Sequence, residues 1–168
     1  HLNDTIYLIQ TNPDYTITGG LVNAPQLPVG TYAMEFTFAT NDTTYGNSNR
    51  KAFGPNSSSG TYTNGLRIAS DLDGNFIAWD FFGVVNYIFT DGYKNKTAKI
   101  RIENLSSGGS RLLVNDVVVS TNASQYPFTE VWKYSCSDAK RYASGVTISN
   151  LKYFYKFVDL SEQPDNQI

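Results

Sequence analysis

Histidine and cysteine are nearly missing from this 168-residue chain; each occurs once, as His1 and Cys136. A single cysteine forms no intramolecular disulfide, so the fold must stand on packing alone, and the disulfide-stapled secreted class is excluded. A single terminal histidine leaves no Ser-His-Asp or Cys-His nucleophile system and no histidine-based zinc site. In "KYSCSDAK", Cys136 reads as a small, partly buried residue rather than a reactive thiol. Long hydrophobic runs are missing too. No stretch reaches the roughly 18 apolar residues of a spanning helix, so no membrane partner is expected. Charge is sparse, at 17% of residues with a net of -2. Nucleic-acid binding needs clustered Lys and Arg, whereas here they are scattered. The densest group, Lys94, Lys96, Lys99 and Arg101, includes strand positions that face solvent. Neither a P-loop nor a glycine-rich dinucleotide fingerprint occurs.

What is present is strand pattern. In "TYAMEFTF", Tyr32, Met34, Phe36 and Phe38 alternate with Thr31, Ala33, Glu35 and Thr37, the period of a half-buried strand. "TAKIRIEN" repeats it, with Ala98, Ile100 and Ile102 inward and Lys99, Arg101 and Glu103 outward. "DLDG" between "GLRIAS" and "NFIAW", and Asn115-Asp116 inside "RLLVNDVVVS", carry hairpin-turn chemistry. In "GVTISNLKYFYKF" the apolar phase slips around Ser149-Asn150, which predicts a bulge. The expectation is an all-β fold, a two-sheet antiparallel β-sandwich of about nine to eleven strands. Residues 39 to 64 form one long polar segment, read as a loop of functional length. Residues 1–158 read as a single domain and 159–168 as a polar tail or linker, so the chain reads as a module of a longer protein.

Paired carboxylates are the enzyme chemistry left open, and no Glu-x-Asp-x-x-Glu run is present. Glu35 and Asp80 are the least implausible pair, and the expectation is a non-enzyme. "DLDGN" resembles a calcium loop only superficially, since Phe76 stands where an EF-hand needs glycine. Calcium in the oxygen-rich residues 41 to 49 is weakly supported, so no cofactor is expected.

Aromatics are abundant: 12 Tyr, 10 Phe and 2 Trp. Together with amides they suit saccharide recognition. The C–H face of a pyranose packs on a ring, while amides, carboxylates and guanidinium groups take its hydroxyls. The stretch "NFIAWDFFGVVNYIF" concentrates them, and Gly83 predicts a tight turn inside it. A Phe82-Gly83 loop places Trp79 opposite Asn86 and on its face, with Tyr87 on the other. A three-residue loop places Trp79 with Tyr87 and Asp80 with Asn86. In either register both faces are largely apolar, which predicts central strands. Trp79 and Tyr87 are then core residues, or one lines a groove beside Asp80 or Asn86. Trp132 fits core or rim equally. Tyr45, Arg50 and Tyr62, in or beside the polar segment, resemble a sugar-binding rim. The candidate ligand-binding residues are thus Trp79, Asp80, Asn86, Tyr87, Tyr45, Arg50, Tyr62 and Trp132, with no catalytic and no metal-ligating residue.

"KTAKIRIENLSSGGSRLLVNDVVVS" followed by "GVTISNLKYFYK" resembles the concanavalin A/laminin-G-like sandwich domains, through Ile100 to Glu103, Val114 to Val117 and Ile148 to Tyr153. The resemblance covers about 60 residues and implies a jelly-roll or concanavalin-like fold. Such domains are often carbohydrate-binding modules. Six Asn-x-Ser/Thr sequons and a bias to Asn, Tyr and Lys fit an AT-rich bacterial or phage gene. The chain looks similar to modules appended to baseplate and tail proteins of phages infecting Gram-positive bacteria. That implies a virion or extracellular location, a cell-wall or surface polysaccharide as partner, and membership of a multi-copy assembly.

Overall fold

Period-two sequence builds nearly all of the structure. The computed structural model describes residues 6–17, 20–40, 50–55, 65–71, 74–92, 95–136 and 145–156. They hold thirteen strands and no helix: β1 (Ile6–Thr11), β2 (Tyr15–Ile17), β3 (Gly20–Asn23), β4 (Thr31–Thr40), β5 (Arg50–Pro55), β6 (Leu66–Asp71), β7 (Gly74–Phe81), β8 (Val84–Phe89), β9 (Thr97–Asn104), β10 (Ser110–Val114), β11 (Val117–Asn122), β12 (Trp132–Cys136) and β13 (Val146–Lys156). A seven-stranded sheet runs β1-β13-β4-β9-β10-β11, with β2 also on β13, and a six-stranded sheet runs β3-β12-β5-β6-β7-β8. The expected all-β, antiparallel two-sheet architecture is therefore present. The strand total exceeds nine to eleven because pieces as short as the three residues of β2 carry no readable alternation.

The local signals hold where the chemistry is local. Asn115 and Asp116 adopt φ of 49° and 68° and join β10 to β11. Asn150 adopts φ of 52° where the β13–β4 register shifts between Ser149 and Lys152. Phe82 and Gly83, at φ of 52° and 78°, form the two-residue turn of β7 and β8. Both central residues lie in the left-handed region, which matches a right-twisted hairpin. This turn selects the first of the two registers, with Trp79 opposite Asn86 and Ala78 opposite Tyr87.

Two expectations fail, and a third holds in direction but not in exposure. The polar segment 39 to 64 is not one loop, because β5 lies inside it and pairs with both β6 and β12. Its Phe53 is fully buried. Polar neighbours hid a strand with a single large apolar anchor. Second, β8 is an edge strand rather than a central one, and its Val84, Val85 and Tyr87 are exposed. Third, Glu103 faces outward as expected, yet it is 5% exposed because Arg101 and Arg111 cover it.

Aromatic rings from both sheets make the core. Phe36 of β4 meets Phe53 of β5 edge-on at 5.0 Å and Trp79 of β7 at 5.8 Å. Phe53 also meets Trp132 of β12 at 5.0 Å, and the two tryptophans lie 6.0 Å apart. At this end of the sandwich backbones pass close together. A Cβ on Gly65 would sit 2.7 Å from the Phe53 carbonyl oxygen and 2.8 Å from the Gly54 Cα, so only glycine fits.

Removing a fully buried ring from such a core loses its burial and leaves a cavity. Trp79→Ala and Trp132→Ala should each destabilise the protein by about 3–5 kcal/mol. Urea denaturation followed by circular dichroism reads this loss, and an effect below about 1 kcal/mol would contradict the packing described.

Candidate functional site

The structure separates the residues expected to bind ligand. Trp79 and Trp132 are both 0% exposed and lie in the core, so neither can meet a ligand. The cause is alternation: Ile77, Trp79 and Phe81 share the inward face of β7, against Phe36 and Tyr126. Among the described residues neither indole N–H has an acceptor, so packing holds these rings. Asp80 and Tyr87 share the outward face of the six-stranded sheet. Asp80 is half-buried, and its Oδ1 is shielded and accepts no hydrogen bond among the described residues. Tyr87 is exposed, edge-on to Phe76 at 5.6 Å. Asn86 lies on the face of Trp79 and donates from Nδ2 to the Val84 carbonyl at 3.1 Å. Arg50 opens β5, but its side chain lies outside the described residues, as do Tyr45, Tyr62 and the oxygen-rich residues 41 to 49. Among the described residues no three acidic, His or Cys side chains gather as a metal site. Glu35 and Asp80 belong to different sheets, so they do not flank a common groove.

A different set converges. Where β2 of one sheet meets β3 and β12 of the other, a pocket of about 330 Å³ is lined by Asp14, Tyr15, Asn23 and Tyr134, with Pro13 and Pro25. Its wall is a run of stacked rings leading out of the core. Tyr134 stacks on Phe53 at 4.9 Å with a 15° interplanar angle. Tyr15 stacks on Tyr134 at 4.2 Å and 14°. Tyr134 is buried, while Tyr15 is half-buried.

The frame of this pocket is pinned by hydrogen bonds. Asn12 donates to the Leu151 carbonyl from its backbone N at 2.9 Å and from Nδ2 at 3.3 Å. The backbone N of Asn150, at the β13 bulge, donates to Asp14 Oδ1 at 3.3 Å. On the other side the Ala24 backbone N donates to Trp132 O at 2.8 Å, and the Tyr153 hydroxyl donates to Pro25 O at 2.7 Å. Asn23 is exposed, and its side chain makes no hydrogen bond among the described residues. The pocket thus presents a fixed carboxylate, an uncommitted amide and a ring-lined wall. The sequence signal for it was faint: "NPDYT" is a turn with one aromatic, and nothing local ties it to Asn23 or Tyr134.

No family model and no curated protein sequence matches the chain. Solved structures share its fold. The HCR/D F1240A mutant superposes with TM-score 0.54 and 13% identity, over 94% of this chain and 44% of its own. The botulinum neurotoxin serotype D binding domain gives TM-score 0.50 and 13% identity, over 92% of this chain and 43% of its own. The chain therefore spans less than half the length of either. An Emp47p carbohydrate recognition domain covers 90% of this chain and 87% of its own at TM-score 0.49 and 11% identity. The first two likenesses, at such identities, are ones of fold.

Burial pushes the Tyr134 phenol up from 10.0 to about 12, helped by the nearby Tyr15. Burial also raises Tyr153, helped by Tyr134. Tyr126 is raised well above the usual value by burial, with the charges of Glu130 and Asp80 adding to it. Unfolded tyrosines lose their protons near pH 10, while these keep theirs, so deprotonation pulls the chain toward the unfolded state. Stability should be flat from pH 7 to 9 and fall as pH rises from 10 to 12. Tyr134→Phe should shallow that fall. Urea midpoints measured at pH 9 and 11 for both proteins test it, and equal slopes would contradict the burial of Tyr134.

Proposed function

We propose that the chain is a non-catalytic carbohydrate-binding module that holds a cell-surface or cell-wall saccharide in the pocket of Asp14, Tyr15, Asn23 and Tyr134. The observation that carries this reading is the convergence, in one pinned pocket, of stacked tyrosines with a free amide and a carboxylate. A sugar needs both halves of that chemistry. Its C–H face packs on a ring, and its adjacent hydroxyls need paired donors and acceptors to replace water. The volume of about 330 Å³ lies at the small end of ligand pockets and suits the end of a glycan rather than a length of one.

Such a site offers little apolar area, so single-site binding should be weak, with Kd about a millimolar. Display of many copies on a larger assembly, such as a phage tail or baseplate, would raise avidity by roughly 10²–10⁴ without any new contact. In this reading the module tethers such an assembly to the glycan surface of its host.

A second reading, a structural or protein-interaction module, is favoured by one observation. Val117, Val118 and Val119 are exposed in succession on β11, which among the described residues ends its sheet, an edge of the kind that pairs with another chain. Light scattering separates the two: a stable oligomer that becomes monomeric in Val118→Lys supports the second reading, and a wild-type monomer removes it.

The saccharide reading is tested by ligand-observed NMR with a monosaccharide panel and fragments of Gram-positive wall polysaccharide. Wild type should bind saturably, and Tyr15→Ala and Asn23→Ala should weaken binding at least tenfold while staying folded. No binding to the panel or to whole cell walls, or equal binding by the variants, would sink it.

A further inference from the structure

Among the described residues, the charge in the tyrosine pocket has no counter-charge. The lining holds one charged group, the Asp14 carboxylate, and neither Lys nor Arg. Its other polar side chains are Tyr15, Asn23 and Tyr134. Burial pushes the Tyr134 phenol up to about 12, so this group stays neutral at physiological pH.

Backbone geometry fixes the carboxylate without neutralising it. The Asn150 backbone N donates to Asp14 Oδ1 at 3.3 Å from the β13 bulge. The Asp14 side chain makes no other hydrogen bond and no ion pair among the described residues, so Oδ2 is an open acceptor. Lys133 stands opposite Asn23 in the β12–β3 ladder. It lies between Trp132 and Tyr134, which are both buried in the core, so alternation turns it to the other face of the sheet.

The rings and the amide add to this preference for positive charge. Tyr15 has Tyr134 stacked on one face at 4.2 Å, and no cation or further ring meets it among the described residues. The π face of a tyrosine attracts a cation. Asn23 is exposed and its side chain is uncommitted among the described residues, so its carbonyl oxygen is a second acceptor.

We propose that this pocket selects a hexosamine with a free ammonium group over neutral, N-acetylated and acidic sugars. The proposal rests on the saccharide reading of the same pocket. An ammonium brings one positive charge and three N–H donors, which suit Asp14 Oδ2 and the Asn23 carbonyl while the sugar ring packs on Tyr15. A neutral sugar leaves the carboxylate unpaired. An N-acetyl group offers one N–H and no charge, and a uronic acid sets a second carboxylate against Asp14. A metal ion is poorly matched: calcium takes about six to eight oxygen ligands, and the pocket supplies one carboxylate. Exposed charge pairs are weak in water, so the preference is modest.

The experiment is ligand-observed NMR on the whole chain at about pH 6, where the amine is protonated. Methyl hexosides of the gluco and galacto series are compared with their 2-amino, 2-acetamido and uronate counterparts. The amine should bind wild type about threefold tighter or more than the hexoside and the acetamide, with the uronate weakest. Raised salt should narrow that gap. Asp14→Asn keeps an oxygen for the Asn150 N–H and removes the charge, so amine and hexoside should then bind equally. Lys133→Gln should leave the preference in place. Equal affinity for amine and hexoside in wild type, or a preference that survives Asp14→Asn, overturns the selection and leaves the saccharide reading standing. Should the Asp14 variant bind none of these sugars, the salt series decides, and a gap indifferent to salt overturns the proposal. No binding of any of them to wild type overturns it as well, while whole cell walls and wall polysaccharide still decide the saccharide reading.

Discussion

The contact of Phe36 with Phe53 joins the two sheets through the centre of the molecule. With one cysteine, no bridge within the chain closes the sandwich, so its stability falls to interdigitated rings. Phe53 touches Phe36, Trp132 and Tyr134 at once. The stack then continues through Tyr134 to Tyr15 at the surface. The proposed saccharide pocket is thus the outer end of the core itself. Its ring wall is rigid because the ring behind it is buried, and rigidity is what a small apolar contact needs to hold a weakly bound sugar.

Two parts of the surface differ in their chemistry. At the seam between the sheets lie rings, an amide and one carboxylate, with backbone hydrogen bonds fixing the frame. On the outer face of the seven-stranded sheet lies a charge network in which a covered glutamate orders two arginines. The first site relies on shape and desolvation. The network rests on charge, which acts over longer distances and weakens with salt.

Much of the fold was legible. The inward sets of β4 and β9, the Asn115-Asp116 turn and the Ser149-Asn150 bulge all follow from residues close in sequence. The site was far less so. Trp79 and Trp132 carried the strongest aromatic signal and proved to be core, because an indole fills a sandwich interior as readily as it stacks on a sugar. Asp14 and Asn23 carry no signal of their own in the sequence, and only their shared pocket gives them a role. β5 was missed because its one deep anchor, Phe53, stands among polar residues.

By itself the sequence determined the all-β class, the reliance on packing without an internal disulfide, and the places of the Gly83 and Asn115-Asp116 turns. Those are local properties: period-two alternation, residues that tolerate positive φ, and a residue count. Tertiary structure alone decided which aromatics are interior and which charges meet. Strand order in the sheets is not chain order; β13 lies between β1 and β4, and β12 between β3 and β5. Tyr134 therefore reaches Tyr15, and Lys156 reaches the cleft of Arg101 and Arg111. Burial depends on what covers a face, and that is settled only when the second sheet arrives.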